Sequence, residues 1–185
     1  EPYFTKFCCL YFTGTGETEV FAVQIRTFFC ADTAAGSFCC SDGDLNRIYE
    51  AARDTLLQNT LDIFMDCPDR ERGGWLCDSF WTARAAAYML GDSRVERAFL
   101  ENYLLTPDTV KYRGFFPEVY PANWDRTLEG EKNLGITTWS FWLMLELCEY
   151  VKRTGDMALA ETHFARIEAF VEGSLRYKGE SGLLE

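Results

Sequence analysis

The hydrophobic period changes once along the chain, and that change limits the fold more than any other feature. From Ser41 onward apolar residues recur at helical spacing, interrupted by short turns. Leu45, Ile48, Tyr49, Ala52 and Leu56 share one face, which predicts a helix over about 42–61. Ser41 and Asp44 form a capping-box pair with Asp in place of Glu. A second helix is predicted over about 77–90, stopped at Gly91, and a third over about 93–104, capped by Asp92 or Ser93. Ile136 to Val151 is apolar nearly all round, so that helix is expected to be buried on most sides. Gly155-Asp156 breaks and recaps the chain before a last helix over about 157–176, lined by Leu159, Phe164, Ile167, Phe170, Val171 and Leu175. Helix, short turn, helix, repeated in this way, is the pattern of αα-hairpins. The hairpins share no obvious sequence repeat.

Before Ser41 the period is two. Phe7 to Phe12 is a continuous apolar run closed by Thr13-Gly14-Thr15-Gly16, and Phe21, Val23, Ile25 and Thr27 alternate with Ala22, Gln24, Arg26 and Phe28. Ala34 to Ser37 reads as a turn or linker. Two or three strands cannot make a stable sheet alone. Residues 1–40 are therefore expected to be the last strands of a β domain and its linker, and residues 41–185 a separate helical unit. The chain opens at Glu1 without Met, enters strand-like sequence within a few residues, and ends at Ser181-Gly182-Leu183-Leu184-Glu185. It reads as a piece of a longer protein, with the periplasm or the outside of a bacterial cell favoured over the cytoplasm.

Charge and composition exclude several functions. The net charge of −11 argues against a phosphate-backbone binder, so no nucleic-acid partner is expected. No apolar run approaches 18 residues, so no membrane span is expected. Tyr11-Phe12-Thr13-Gly14-Thr15-Gly16 contains Gly-x-Gly but precedes no helix, which weakens a nucleotide reading. Eight cysteines are many for 185 residues, but none forms Cys-x-x-Cys, and most sit among apolar residues where a reduced thiol behaves as a small hydrophobe. Free thiols are expected, disulfides being the alternative for an exported parent. The lone His163 has no spaced His or Cys partner and reads as a packed side chain. No metal site or cofactor is expected. Aromatic residues make up 16% of the chain, which suggests an aromatic core or an aromatic-lined pocket.

The densest polar cluster runs from Asp66 to Asp78, in a loop expected over 62–75 and the start of the next helix. It reads Asp66-Cys67-Pro68-Asp69-Arg70-Glu71-Arg72-Gly73-Gly74-Trp75-Leu76-Cys77-Asp78. Two glycines permit close backbone approach, and Pro68 fixes the chain direction. On composition alone this is a solvated connector with local ion pairs and Asp78 as an N-cap. A second candidate stretch lies in the long loop over 105–134, which holds Pro107, Gly114, Pro117, Pro121 and Gly130. A loop of that length is often functional. Glu118, within Phe115-Phe116-Pro117-Glu118-Val119-Tyr120-Pro121, is a candidate for the same cleft, against the alternative of an exposed loop glutamate.

The cluster resembles the signature of the α-L-rhamnosidases and their six-hairpin glycosidase relatives. The matching pieces are Asp66-Cys67-Pro68, Glu71-Arg72, Gly74-Trp75 and Asp78, preceded by Gly36 to Ser41, Asn46-Arg47-Ile48-Tyr49 and Asn59. The likeness is detailed from about residue 7 to 105 and looser to 176. It implies an (α/α)6 toroid, preceded by a β-sandwich module, of which this chain holds about five helices. It also implies hydrolysis of a terminal rhamnoside, or a related sugar, with inversion. By that pattern Glu71 is the general acid, Asp66 and Asp78 hold sugar hydroxyls or support the acid, and Trp75 lines the sugar pocket. Arg70 and Arg72 flank the acid at the substrate. An inverting site also needs a base, roughly 6.5–9.5 Å from the acid, and the family's base lies beyond Glu185. The implied partner is a carbohydrate. The chain departs from the pattern in three places. The step from Asp66 to Glu71 is one residue short, Leu76-Cys77 replaces Thr-Gly, and Gly135-Ile136-Thr137-Thr138-Trp139 stands where the family has Trp-Gly-Asp-Ala. Asp69 is then a rival acid. A non-catalytic glycan-binding protein on the same fold, and a helical thiol-rich interaction protein, are the other readings.

Overall fold

The structure is a computed structural model that describes residues 7–29, 36–91, 93–106, 114–121 and 136–184. Among the described residues six helices follow one another: α1 (Gly43–Gln58), α2 (Leu76–Met89), α3 (Arg94–Leu104), α4 (Trp139–Thr154), α5 (Met157–Thr162) and α6 (Phe164–Leu175). The mainly helical class expected from the period is what forms. Helix α1 is capped by Asp42 rather than Ser41, the Asp42 carboxylate accepting from the Asp44 and Leu45 amides. The last helix is broken at His163, which ends α5 and opens α6 without any glycine or proline to mark the break. Gly155, at φ 76°, closes α4 in the left-handed conformation that favours glycine.

The strands expected over 1–40 do not form among the described residues. Residues 7–29 run without regular structure and are exposed throughout. A strand is held by a neighbour's backbone and by burial of one face, and this stretch has neither here. Residues 36–41, by contrast, dock on α1. The Asn46 amide exchanges two hydrogen bonds of 2.9 Å with the Cys40 backbone, and Phe38 stacks near Tyr49 at 5.5 Å. The Asn in the Asn-Arg-Ile-Tyr stretch is thus the residue that fastens the connector to the first helix. Asp92, Pro107, Gly130, Gly135, Cys30 and the Ala34-Ala35 turn lie outside the described residues.

Helices α2 and α4 pack most extensively on one another, with α1 against α2 and α3 against α4. The core between them gathers Leu76, Ala83, Ala86, Phe99, Leu100, Tyr103, Leu143, Leu147 and Tyr150. Arg97 of α3 and Tyr150 of α4 both bond the Asp156 carboxylate, at 3.1 and 2.9 Å, and so tie the α4–α5 turn to α3. The seven described cysteines form no disulfide, but Cys8, Cys9, Cys39 and Cys148 are exposed rather than packed as small hydrophobes.

Helix α1 and faces of α2, α4 and α6 carry apolar side chains that are largely exposed among the described residues. Ile48 is 63% exposed, Tyr88 83%, Trp81 55%, Leu145 50% and Leu175 58%. The expected burial of α4 on most sides and the stripe over Phe164, Val171 and Leu175 are therefore only partly realised. Apolar surface of this extent drives association. The 185-residue chain by itself is expected to bind hydrophobic dyes and to self-associate with rising concentration, as dye fluorescence and light scattering would register. A sharp, monomeric, concentration-independent melt without dye binding would refute this.

Candidate active site

The Asp66–Asp78 segment is partly solvated, with Asp69, Arg70 and Asp78 exposed and Gly73, Gly74 and Leu76 buried. It begins from a buried base, because Ile63, Phe64 and Met65 insert into the core just before Asp66. The Met65 amide bonds Asn59 O at 2.9 Å, which fixes where the loop leaves α1. Asp66 then closes the loop on itself. Its amide donates to Gly73 O at 3.1 Å, and its Oδ1 accepts from the Gly73 amide at 2.9 Å. Inside that closure Cys67 Sγ accepts from the Glu71 amide at 3.3 Å. Arg72 adopts φ 51°, a left-handed conformation uncommon outside glycine and typical of functional segments.

The Glu71 carboxylate is held at both oxygens. Trp75 Nε1 donates to Oε2 at 2.9 Å, and the exposed Arg70 guanidinium pairs with Oε1. Trp75 is in turn packed edge-on against Trp139 at 5.4 Å. Asp78 lies in the first turn of α2 and is not its N-cap, a position that falls to Trp75 without a side-chain bond. Partial burial pushes the Asp78 carboxyl above its ordinary range, and the charges of Asp66 and Glu71 push it the same way. Three of the sequence-derived site residues thus share one electrostatic neighbourhood. Asp69 is exposed, as is Asp78.

A second wall comes from residues 114–121. The Leu76 amide bonds Glu118 O at 3.0 Å, the Gly74 amide bonds Pro121 O at 3.1 Å, and Tyr120 N returns to Gly74 O at 3.1 Å. Trp75 and Val119 form an antiparallel bridge. Gly74 is required by this approach, since a Cβ there would fall 2.5 Å from Tyr120 O. Glu118 is 4% exposed, so it is not the exposed loop glutamate that its sequence context favours. The wall is anchored from two further helices. Arg166 of α6 donates to Gly114 O at 2.9 Å and to Phe115 O at 3.2 Å, and stacks on Phe116 at 4.0 Å. Ser140 of α4 bonds the Phe116 backbone amide at 3.0 Å.

Sequence reasoning missed Cys67, Tyr103 and Trp139 as supports of this site. Tyr103 donates its hydroxyl to Gly74 O from within α3. A tyrosine on an apolar helix face looks like core, and only the position of Gly74 shows what its hydroxyl is for.

The family model for the bacterial alpha-L-rhamnosidase 6 hairpin glycosidase domain matches residues 33–184. The chain belongs to that family. Two rhamnosidases show the same likeness at moderate identity. An alpha-L-rhamnosidase of Formosa agariphila is 26% identical over 156 residues, covering 81% of this chain and 16% of that protein. The crystal structure of the GH78 family rhamnosidase of Bacillus sp. GL1 superposes with a TM-score of 0.71 at 27% identity, covering 84% of this chain and 15% of that one. This rhamnosidase-family chain therefore spans under a fifth of the length of either relative. Its helices are part of the six-hairpin domain, and no described helix is long and apolar enough to cross a membrane.

Proposed function

We propose that the full-length protein removes terminal α-L-rhamnose, or a closely related sugar, from glycans or glycosides by inverting acid–base hydrolysis. The observation that carries this reading is the gathering of Asp66, Glu71 and Asp78 beside Trp75 at the start of α2. Glu71 is the general acid that protonates the leaving oxygen. Asp78 and the Asp66 oxygen not bonded to Gly73 hold sugar hydroxyls, while Trp75 supplies the apolar wall. Arg70 and Arg72 orient the acid and the substrate. The base comes from a part of the protein outside this chain, facing the acid across a gap wide enough for water. Residues 1–40 complete a β-sandwich module in that protein. Glu118 is buried in the second wall, its backbone oxygen paired with the start of α2. A second assignment of the acid has one observation in its favour, the upward push on Asp78.

The test is hydrolysis of an aryl α-L-rhamnoside followed by NMR of the first anomer released. The full-length protein is expected to release the β anomer, and the isolated 185-residue chain is expected to be nearly inactive. Release of the α anomer would replace the base by a nucleophile. Robust turnover by the isolated chain would place the base within residues 1–185, with Glu118 first to be tested. Sugar binding without turnover by the full-length protein would favour the glycan-binding alternative.

A further inference from the structure

Glu146 sits in the middle of α4 and is 1% exposed, enclosed by α2, α3 and α4. Its Oε2 lies 2.7 Å from Ser79 Oγ, and the same Ser79 Oγ lies 2.8 Å from Leu76 O. A serine hydroxyl has one hydrogen and cannot donate to both. If Glu146 were ionised, that hydrogen would turn to the carboxylate and Leu76 O would lose its side-chain donor. The second carboxylate oxygen, Oε1, has no hydrogen-bond partner, so a buried anion would stay half-solvated. If Glu146 is the neutral acid, every hydrogen has a place. Oε2–H donates to Ser79 Oγ, Ser79 donates to Leu76 O, and what remains unpartnered is an uncharged carbonyl oxygen.

The surrounding charges favour the same state. Glu96 faces from α3, and its Oε2 pairs with the Arg153 guanidinium of α4, so the nearby cation is bonded to Glu96 rather than to Glu146. Glu149 of α4 adds a further negative charge and is paired with Arg84 of α2 at 3.5 Å. Burial pushes the Glu146 carboxyl well above its ordinary range, with Glu96 and Glu149 adding to it and Ser79 and Arg153 opposing.

Leu76 is the first residue of α2. Its amide meets Glu118 O, and the residue before it is Trp75, whose indole holds Glu71. We propose that Glu146 is a positioning residue kept as a neutral acid, which locks the first turn of α2 through Ser79 and thereby sets Trp75, Asp78 and the Glu71 carboxylate. Its catalytic consequence rests on the rhamnosidase reading; its protonation and its hydrogen bonds do not.

The sign of the pH effect follows from the raised carboxyl. The folded state holds a proton that the unfolded state releases at the ordinary glutamate value. The stabilisation is complete below that value and falls as pH rises toward the folded one. Glu146→Gln keeps a donor for Ser79 and cannot ionise. In the full-length protein its melting temperature is expected to exceed that of the wild type at about pH 8, and the gap is expected to close near about pH 4. Infrared spectra at neutral pH are expected to show a neutral carboxylic-acid carbonyl band in the wild type that is missing from E146Q. The alkaline limb of kcat/KM on an aryl rhamnoside is expected to shift upward in E146Q, with turnover in mild acid retained. Parallel melting curves at every pH, absence of the infrared difference, or an E146Q that does not fold would each overturn the neutral acid. An unmoved alkaline limb beside intact melting and infrared differences would overturn the positioning role. A wild type without rhamnosidase activity would instead sink the functional reading, and the melting and infrared results would still decide Glu146.

Discussion

Glu71→Gln in the full-length protein is expected to lower kcat by about 10²–10⁴-fold on rhamnosides with poor leaving groups, the usual contribution of a placed general acid. The glutamine amide oxygen still accepts from Trp75 Nε1, while the transferable proton and the pairing with the exposed Arg70 are lost. An activated aryl group leaves without much protonation, so the loss on such a substrate is expected to be small, and the ratio between the two substrates is the diagnostic quantity. Asp66→Asn is expected to reduce kcat/KM similarly for both, because its Oδ1 also closes the loop on Gly73. Steady-state kinetics on a paired series of leaving groups separates these cases. Leaving-group dependence at Asp69→Asn, or at Asp78→Asn, in place of Glu71→Gln would move the acid to that residue. Asp69 and Asp78 are both exposed, and the raised Asp78 carboxyl makes the Asp78 variant the stricter control.

Gly74→Ala is expected to be the most damaging small substitution in the motif. Its methyl group would lie 2.5 Å from Tyr120 O and 2.9 Å from Phe99 Cε2. Tyr120 O is backbone, and the two strands of chain are tied there by reciprocal bonds of 3.1 Å between Gly74 and residues 120 and 121. Neither side can yield without opening the pairing that carries Trp75. Overpacking of this kind costs about 1–3 kcal/mol or more, which lowers the melting temperature by roughly 2–4 °C per kcal/mol in a chain of this size. Activity is expected to fall with it. Gly73→Ala is the comparison, since its Cβ would meet a Val119 methyl at 2.7 Å, and a side chain can turn away. Equal melting temperatures for the two variants would show that the close approach at Gly74 is not needed.

The helices were legible because their apolar period comes from local geometry that the sequence carries directly, and their starts and stops moved by only a few residues. The Asp66–Asp78 motif was legible from its residue types and order. What could not be read depends on partners far along the chain. Phe7 to Phe12 is a continuous apolar run and Phe21 to Phe28 alternates like a strand, but a strand exists only beside another, and none is present among the described residues. Glu118 looks like a surface loop residue until Leu76 pairs with its backbone. Glu146 disturbs no helical period, yet it is a buried carboxyl because α2 and α3 close over it. The break at His163 has no sequence marker at all.

The Arg166 clamp bears on the order in which the molecule can be made. Its two acceptors, Gly114 and Phe115, stand 52 and 51 residues earlier in the chain. They begin the segment that pairs with Trp75, so the motif's second wall is fastened by a side chain synthesised long after the motif itself. A nascent chain halted at the ribosome before Arg166 holds Asp66, Glu71 and Asp78 but lacks the fastening of the wall that pairs with Trp75. Loops closed over such distances form late. Maturation of this site is therefore tied to emergence of α6, and a synonymous-codon pause placed between residues 121 and 166 would lengthen the interval in which the wall that pairs with Trp75 stands unfastened.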